Sequence, residues 1–182
     1  GKLAAQTAFF DQNPEAVICQ TEETWIRNGV RVNPGKRHRK RSGMIFEPSL
    51  ELCLVSPSAV MLRRSLFESV GFFDERLPAC EDYDLWLRIG CRHPVHLIDR
   101  PLIVKRGGHP DQLSRASGLD RFRIRAICGL LARNVLMADQ RRAAWETLAA
   151  KCAIYAAGCR KRGRQAEAEH CLALVARFRP EA

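Results

Sequence analysis

Nineteen residues, Val70 to Arg88, constrain this chain more than any other stretch. The segment Arg63 to Val70 reads as a helix, and Gly71 ends it, because glycine enters the left-handed backbone region without a steric cost. Phe72-Phe73-Asp74-Glu75 reads as a turn whose aromatics anchor it to the core. A second helix then spans Glu81 to Gly90: Leu85, Trp86 and Ile89 recur at helical spacing, and Glu81, Asp82 and Asp84 fill the first turn, where the positive helix end favours acids. The chain therefore carries a helix, a tight turn and a second helix in fixed order, with carboxylates concentrated at one helix start.

A chain of 182 residues is long enough for one domain with a core, or for part of a domain followed by a further unit. No apolar run approaches the roughly 18 residues that span a bilayer, and no basic-then-apolar leader is seen, so a cytoplasmic protein is expected. The eight cysteines form no Cys-x-x-Cys pair. Cys128, Cys152 and Cys159 sit among Ala and Leu at helical spacing, which predicts reduced, mostly buried thiols acting as small apolar residues. Cys91, His93 and His96 lie close in sequence without further ligands for a metal.

A net charge of +10 implies attraction to something anionic. The densest run, Lys36-Arg37-His38-Arg39-Lys40-Arg41, stands between Pro34-Gly35 and Ser42-Gly43. It reads first as a solvated, mobile loop. Peripheral contact with an anionic lipid surface or a lipid-linked acceptor is the second reading. Nucleic acid ranks last and is not expected as a partner, because no aromatics interleave the run and no RNA- or DNA-binding signature accompanies it.

Elsewhere, residues 2 to 12, with Leu3, Phe9 and Phe10, predict an amphipathic helix that stops before Asn13-Pro14. Ala16 to Thr21 reads as a buried strand that continues from Glu22 to Val32 with a turn near Asn28-Gly29. Ser56 to Leu62 reads as a strand leading into the helix at Arg63. Val95 to Ile98 and Leu102 to Val104 read as two β segments split by Asp99-Arg100-Pro101. Gly107-Gly108 permits a bend before His109. Beyond a boundary near 117, a stripe of Phe122, Ile124, Ile127, Leu130, Leu131 and Val135 announces helices, followed by two more at about 141 to 160 and 164 to 178. That last pair, with Trp145, Leu148, Tyr155, Ala156 and Leu172 inward, resembles one tetratricopeptide-like hairpin.

Taken together, Gly71-Phe72-Phe73-Asp74-Glu75, Glu81-Asp82, Asp84-Leu85-Trp86-Leu87-Arg88 and Arg106-Gly107-Gly108-His109 occur in the order and approximate spacing of the acceptor half of an inverting family 2 glycosyltransferase. The resemblance covers residues 1 to 117 and is most specific between 56 and 115. It implies an α/β fold, the C-terminal part of a Rossmann-like GT-A domain over 1–117, followed by an all-α hairpin over 118–182. It implies an enzyme that transfers a sugar, non-processively and with inversion, from a nucleotide diphosphate sugar such as a UDP-sugar to the hydroxyl of a glycan or lipid-linked glycan acceptor.

In that reading Asp82 is the catalytic base and Glu81 orients the acceptor, while Asp84 is structural. Trp86, Gly107, Gly108 and Arg115 contact substrate. His109 approaches a divalent cation, Mn²⁺ or Mg²⁺, that is expected only in a longer form of the protein. Gln112-Leu113-Ser114-Arg115-Ala116 resembles the Gln-x-x-Arg-Trp signature of processive synthases, but Ala116 replaces the stacking tryptophan. No Asp-x-Asp follows a strand: Asp11 stands alone, and Asp82-Tyr83-Asp84 belongs to the acceptor motif. The family's metal and nucleotide half lies upstream of the segment that Gly1 to Gln6 resembles. The chain by itself is therefore expected to be inactive and to associate through the face that half would cover. Acids at a helix start also serve as simple caps, so two alternatives remain: a non-enzymatic protein interaction module and an anionic-surface binder.

Overall fold

The computed structural model describes residues 1–109, 112 and 118–180. Helix α1 (Lys2–Gln12) leads into the long strand β1 (Ile18–Arg27) and, through a turn with Asn28 and Gly29 at φ 49° and 80°, into β2 (Val30–Val32). A short 3₁₀ turn at Lys36–His38 precedes helix α2 (Phe46–Glu51), strand β3 (Val60–Leu62) and helix α3 (Leu66–Val70). Helix α4 (Glu81–Gly90) and strand β4 (His96–Gly107) complete the mixed part. Helices α5 (Asp120–Ala132), α6 (Ala138–Lys161) and α7 (Gln165–Arg177) follow.

The result is an α/β fold with a mixed sheet of four strands centred on β1. Strand β4 runs parallel to β1 along Cys19 to Arg27, while β3 and β2 pair antiparallel with its first and last residues. The first half of β1 is buried and the second half is partly exposed. The carboxyl ends of the parallel pair therefore open onto an accessible face.

Four expectations change. Leu3 is 64% exposed, and α1 instead buries Gln6 and Phe10. Gln6 is accommodated because its Nε2 donates to the carbonyl of Ala59 at 3.0 Å. The two β segments around Pro101 are one strand, in which register shifts on either side of the Glu22–Pro101 pair absorb the proline. Phe72 lies 74% exposed and stacks on Phe67 at 4.9 Å rather than entering the core, while Phe73 meets Trp86 edge-on at 6.3 Å. Lastly, the basic run is not solvated throughout, because Lys40 is buried.

The cysteine reading holds: all eight are free, five are buried and three are half-buried. The main core joins Phe46 and Leu50 of α2 and Tyr83 and Leu87 of α4 to Ile127, Leu130 and Leu131 of α5, Leu148 and Cys152 of α6 and Cys171 of α7. Helices α5 to α7 are thus packed directly on the mixed part. Among the described residues no helix is long and apolar enough to cross a membrane.

Candidate functional site

Helix α4 begins under constraint. Cys80, the residue before it, holds φ 62°, a left-handed conformation that costs a non-glycine residue roughly 1–2 kcal/mol. That turn sets Glu81, Asp82 and Asp84 on the first turn of the helix. Asp84 is structural, as read from the sequence: its Oδ2 accepts from Arg88 Nε and Nη2 at 2.9 and 2.8 Å. Arg88, nearly buried, also donates to the carbonyls of Val70, Gly71 and Phe72. This one side chain ties the α3 terminus and its following turn to α4.

Asp82 faces elsewhere. It lines a cleft of about 540 Å³ walled by the second half of β1, the end of β4, the 36–40 segment and residues 52–57. Ligands of open α/β sheets sit outside the carboxyl ends of the parallel strands, and this cleft occupies that place. One carboxylate oxygen of Asp82 accepts from the Tyr83 amide at 2.7 Å and the other from the thiol of Cys53 at 3.6 Å. Burial, with the Asp82 carboxylate beside it, pushes the Cys53 thiol well up, so Cys53 stays protonated, its one proton shared between the Val55 carbonyl at 3.3 Å and Asp82. Tyr83 anchors the helix start by donating to the Leu50 carbonyl at 2.6 Å.

The other walls are cationic and aromatic. Arg37, His38, Lys40, Lys105, Arg106 and Arg123 all line the cleft, together with Trp25. Glu23 organises this wall from within β1: its carboxylate meets Lys40 Nζ at 3.3 Å and Lys105 Nζ at 3.7 Å, and Trp25 Nε1 donates to it at 2.9 Å. Lys40 also donates to the Thr21 carbonyl at 2.8 Å. Burial acts to raise the pKa of Glu23, but Lys40, Lys105 and the Trp25 bond outweigh it and hold the carboxyl below its ordinary range. Burial depresses Lys40 despite Glu23. Lys105 lies 4.8 Å over the Trp25 ring, and His38 is 5.4 Å from it; burial, Arg37 and Lys105 lower His38.

Of the residues singled out in the sequence, Asp82 and Gly107 line the cleft. Gly108 sits just beyond with φ 93°, packed so closely that an added Cβ would lie 2.1 Å from Asn28 Oδ1. Its amide donates to Gln112 Oε1 at 2.9 Å, and Gln112 also lines the cleft. His109 is exposed at the end of this turn. Glu81 and Trp86 are not brought to the cleft: Glu81 is half-buried outside its lining, and Trp86 is 4% exposed in the core with Ile18, Leu66 and Val95. Arg115 lies outside the described residues.

Sequence reasoning missed Glu23, Trp25, Lys40, Cys53 and Lys105. The signal for the first two was the alternation Glu23, Trp25, Arg27 on a strand, which puts all three on one face. Lys40 and Cys53 carry no local signal, because their partners are distant in sequence. Among the described residues no three His, Cys, Asp or Glu side chains are grouped to hold a metal ion. The described part of the cleft does not by itself fit a divalent cation.

An uncharacterized glycosyltransferase of Rickettsia conorii is 34% identical over 62 residues, covering 34% of this chain and 10% of the relative. An uncharacterized glycosyltransferase of Rickettsia felis is 32% identical over 62 residues, again 34% of this chain and 10% of the relative. The chain thus contains a segment related to glycosyltransferases, and it spans about a tenth of the length of these curated relatives. No family model and no solved structure matches it.

Proposed function

We propose that the cleft is the acceptor side of an inverting family 2 glycosyltransferase of GT-A fold, and that Asp82 is its general base. The observation that carries this reading is the position of Asp82: a carboxylate at a helix start, in a cleft at the carboxyl ends of a parallel strand pair, whose other walls carry Lys105, Arg106 and Arg37. Asp82 takes the proton of the acceptor hydroxyl as its oxygen bonds to the anomeric carbon. The bond from that carbon to the diphosphate breaks, and its electron pair leaves with the nucleoside diphosphate. The cationic wall favours the charge that develops on the leaving group. Cys53 and the Tyr83 amide hold the Asp82 carboxylate in place for the transfer.

The donor is a nucleotide diphosphate sugar, UDP-linked by family resemblance, and the acceptor a glycan or lipid-linked glycan. Gly107, Gly108 and Arg115 keep the substrate-contacting roles that the resemblance implies, and His109 its approach to the cation, whereas Glu81 lies outside the cleft lining and is given no role in it. The divalent cation, Mn²⁺ or Mg²⁺, belongs to a longer form of the protein, and no step here is routed through it. The proposal is tested with the longest form that contains this chain, by measuring acceptor-dependent release of nucleoside diphosphate across a panel of nucleotide sugars. Release by wild type that falls at least about a hundredfold in Asp82→Asn supports it. Release that Asp82→Asn leaves unchanged refutes the assignment of the base.

A further inference from the structure

A second concave site lies far from Asp82 in the sequence, on the helical side of the molecule. The turn after α5, the first turns of α6 and the end of α7 enclose an open groove of about 610 Å³. Its walls carry Asn134, Arg141, Arg142, Arg177 and Arg179. Four guanidinium groups around one groove repel one another unless anions compensate them. Arg142 pairs with Asp139, its neighbour on the same helix. Among the described residues no carboxylate pairs with Arg141, Arg177 or Arg179.

The groove is nevertheless built rather than loose. Arg141 donates to the carbonyl of Leu131 at 3.1 Å, which fixes its guanidinium across the α5–α6 turn. The guanidinium of Arg177 lies 5.3 Å from the ring of Phe178, itself 8% exposed in the main core. Trp145 Nε1 donates to the Val175 carbonyl at 2.9 Å and holds the end of α7 against α6. The turn enters through Asn134, whose φ of 52° directs the chain into Met137 and the start of α6. The positive end of a 24-residue helix therefore begins at the groove wall.

We propose that this groove is a phosphate-binding site, separate from the Asp82 cleft and independent of the reaction assigned there. Guanidinium forks match phosphate oxygens bidentately, and a groove with four of them beside a helix start suits a group carrying one to two negative charges. The phosphate comes either from a lipid headgroup at a membrane surface or from a soluble phosphate compound. Met137, 74% exposed next to the groove, supplies an apolar contact that only the first source would use.

The experiment has two arms on the full chain: co-sedimentation with phosphatidylcholine vesicles containing phosphatidylglycerol, and calorimetric titration with inorganic pyrophosphate. The variant is Arg177→Gln with Arg179→Gln, and the charge-matched control is Arg160→Gln with Lys161→Gln at the opposite end of the hairpin. Binding in either arm that the groove variant weakens about thirtyfold, with the control within about twofold of wild type, establishes the site and identifies its source. Equal weakening by both variants means attraction to net charge alone and overturns the proposal, as does absence of binding in both arms. Should the double variant unfold, Arg179→Gln alone serves: it alters an exposed side chain beyond the end of α7 and is expected to weaken binding about fivefold. No change in binding with that single variant overturns the proposal.

Discussion

Around the cleft the chain buries charge; in the helical unit it buries small apolar side chains. Glu23 and Lys40 are both about 5% exposed and form an ion pair, Lys40 also donating to the Thr21 carbonyl, and Cys80 is held in a left-handed conformation beside Asp82. Across the shared core, α6 and α7 meet through Ala156, Cys159, Ala168 and Cys171, with Leu148 and Cys152 in the main core, and among the described residues no ion pair lies inside. Burial pushes the Cys152 thiol above its ordinary value, consistent with an apolar role. The difference shows where specificity is built. A packed hairpin needs only volume and periodicity, whereas a cleft wall needs polar groups fixed in place against their tendency to seek water.

The largest effect is expected from removing one half of the buried pair. Lys40→Met leaves Glu23 buried with only the half-exposed Lys105 and the Trp25 bond to offset its charge, and is expected to cost about 3–4 kcal/mol in chemical denaturation. The sign of the pH effect follows from the depressed pKa of Glu23. Its contribution to stability is fully present above the ordinary glutamate value of about 4.3 and is lost as pH falls through that value towards its depressed folded one. The gap between wild type and Lys40→Met should therefore narrow below about pH 4.3; a gap independent of pH would mean that the pair does not set it.

Next in size, Leu148→Ala removes a fully buried side chain of α6 and is expected to cost about 3 kcal/mol. Because Leu148 shares a core with α2 and α4, circular dichroism and tryptophan fluorescence should shift together in one transition. Two separated transitions would show that the helical unit is independent of the mixed part. A smaller effect, about 1–2 kcal/mol, is expected for Gly108→Ala, which meets Asn28 and forces a side chain into a left-handed conformation. An unchanged midpoint would mean that the turn at the cleft rim is free to rearrange.

Much of this architecture is legible in the residues. Helix α4 begins and ends where its acidic first turn and apolar spacing place it, and Gly71 takes the positive φ that ends α3. The hairpin turn at Asn28-Gly29 and the α6–α7 break at Gly163 follow from the same local chemistry. What was not legible is non-local. Pro101 looks like a strand break, and is not one because β1 absorbs it with shifts in register. Lys40 is hidden in a basic run, since nothing nearby reveals that Glu23, seventeen positions earlier, will bury it. Trp86 looks exposed to substrate only when its helix is considered without the β1 and α3 side chains that cover it. For the candidate site, Asp82 and Gly107 were visible through motif order, whereas the cationic wall became visible only once β1 and β4 were side by side.

The most direct measurement is the separation of kcat from KM for Asp82→Asn in the longest form carrying this chain, with folding checked by thermal unfolding. If Asp82 is the base, kcat falls by about two to four orders of magnitude, while KM for the nucleotide sugar and Tm stay near wild type. A wild-type kcat in the variant, or a rise in KM with kcat unchanged, would contradict the account and leave Asp82 a structural residue of the cleft.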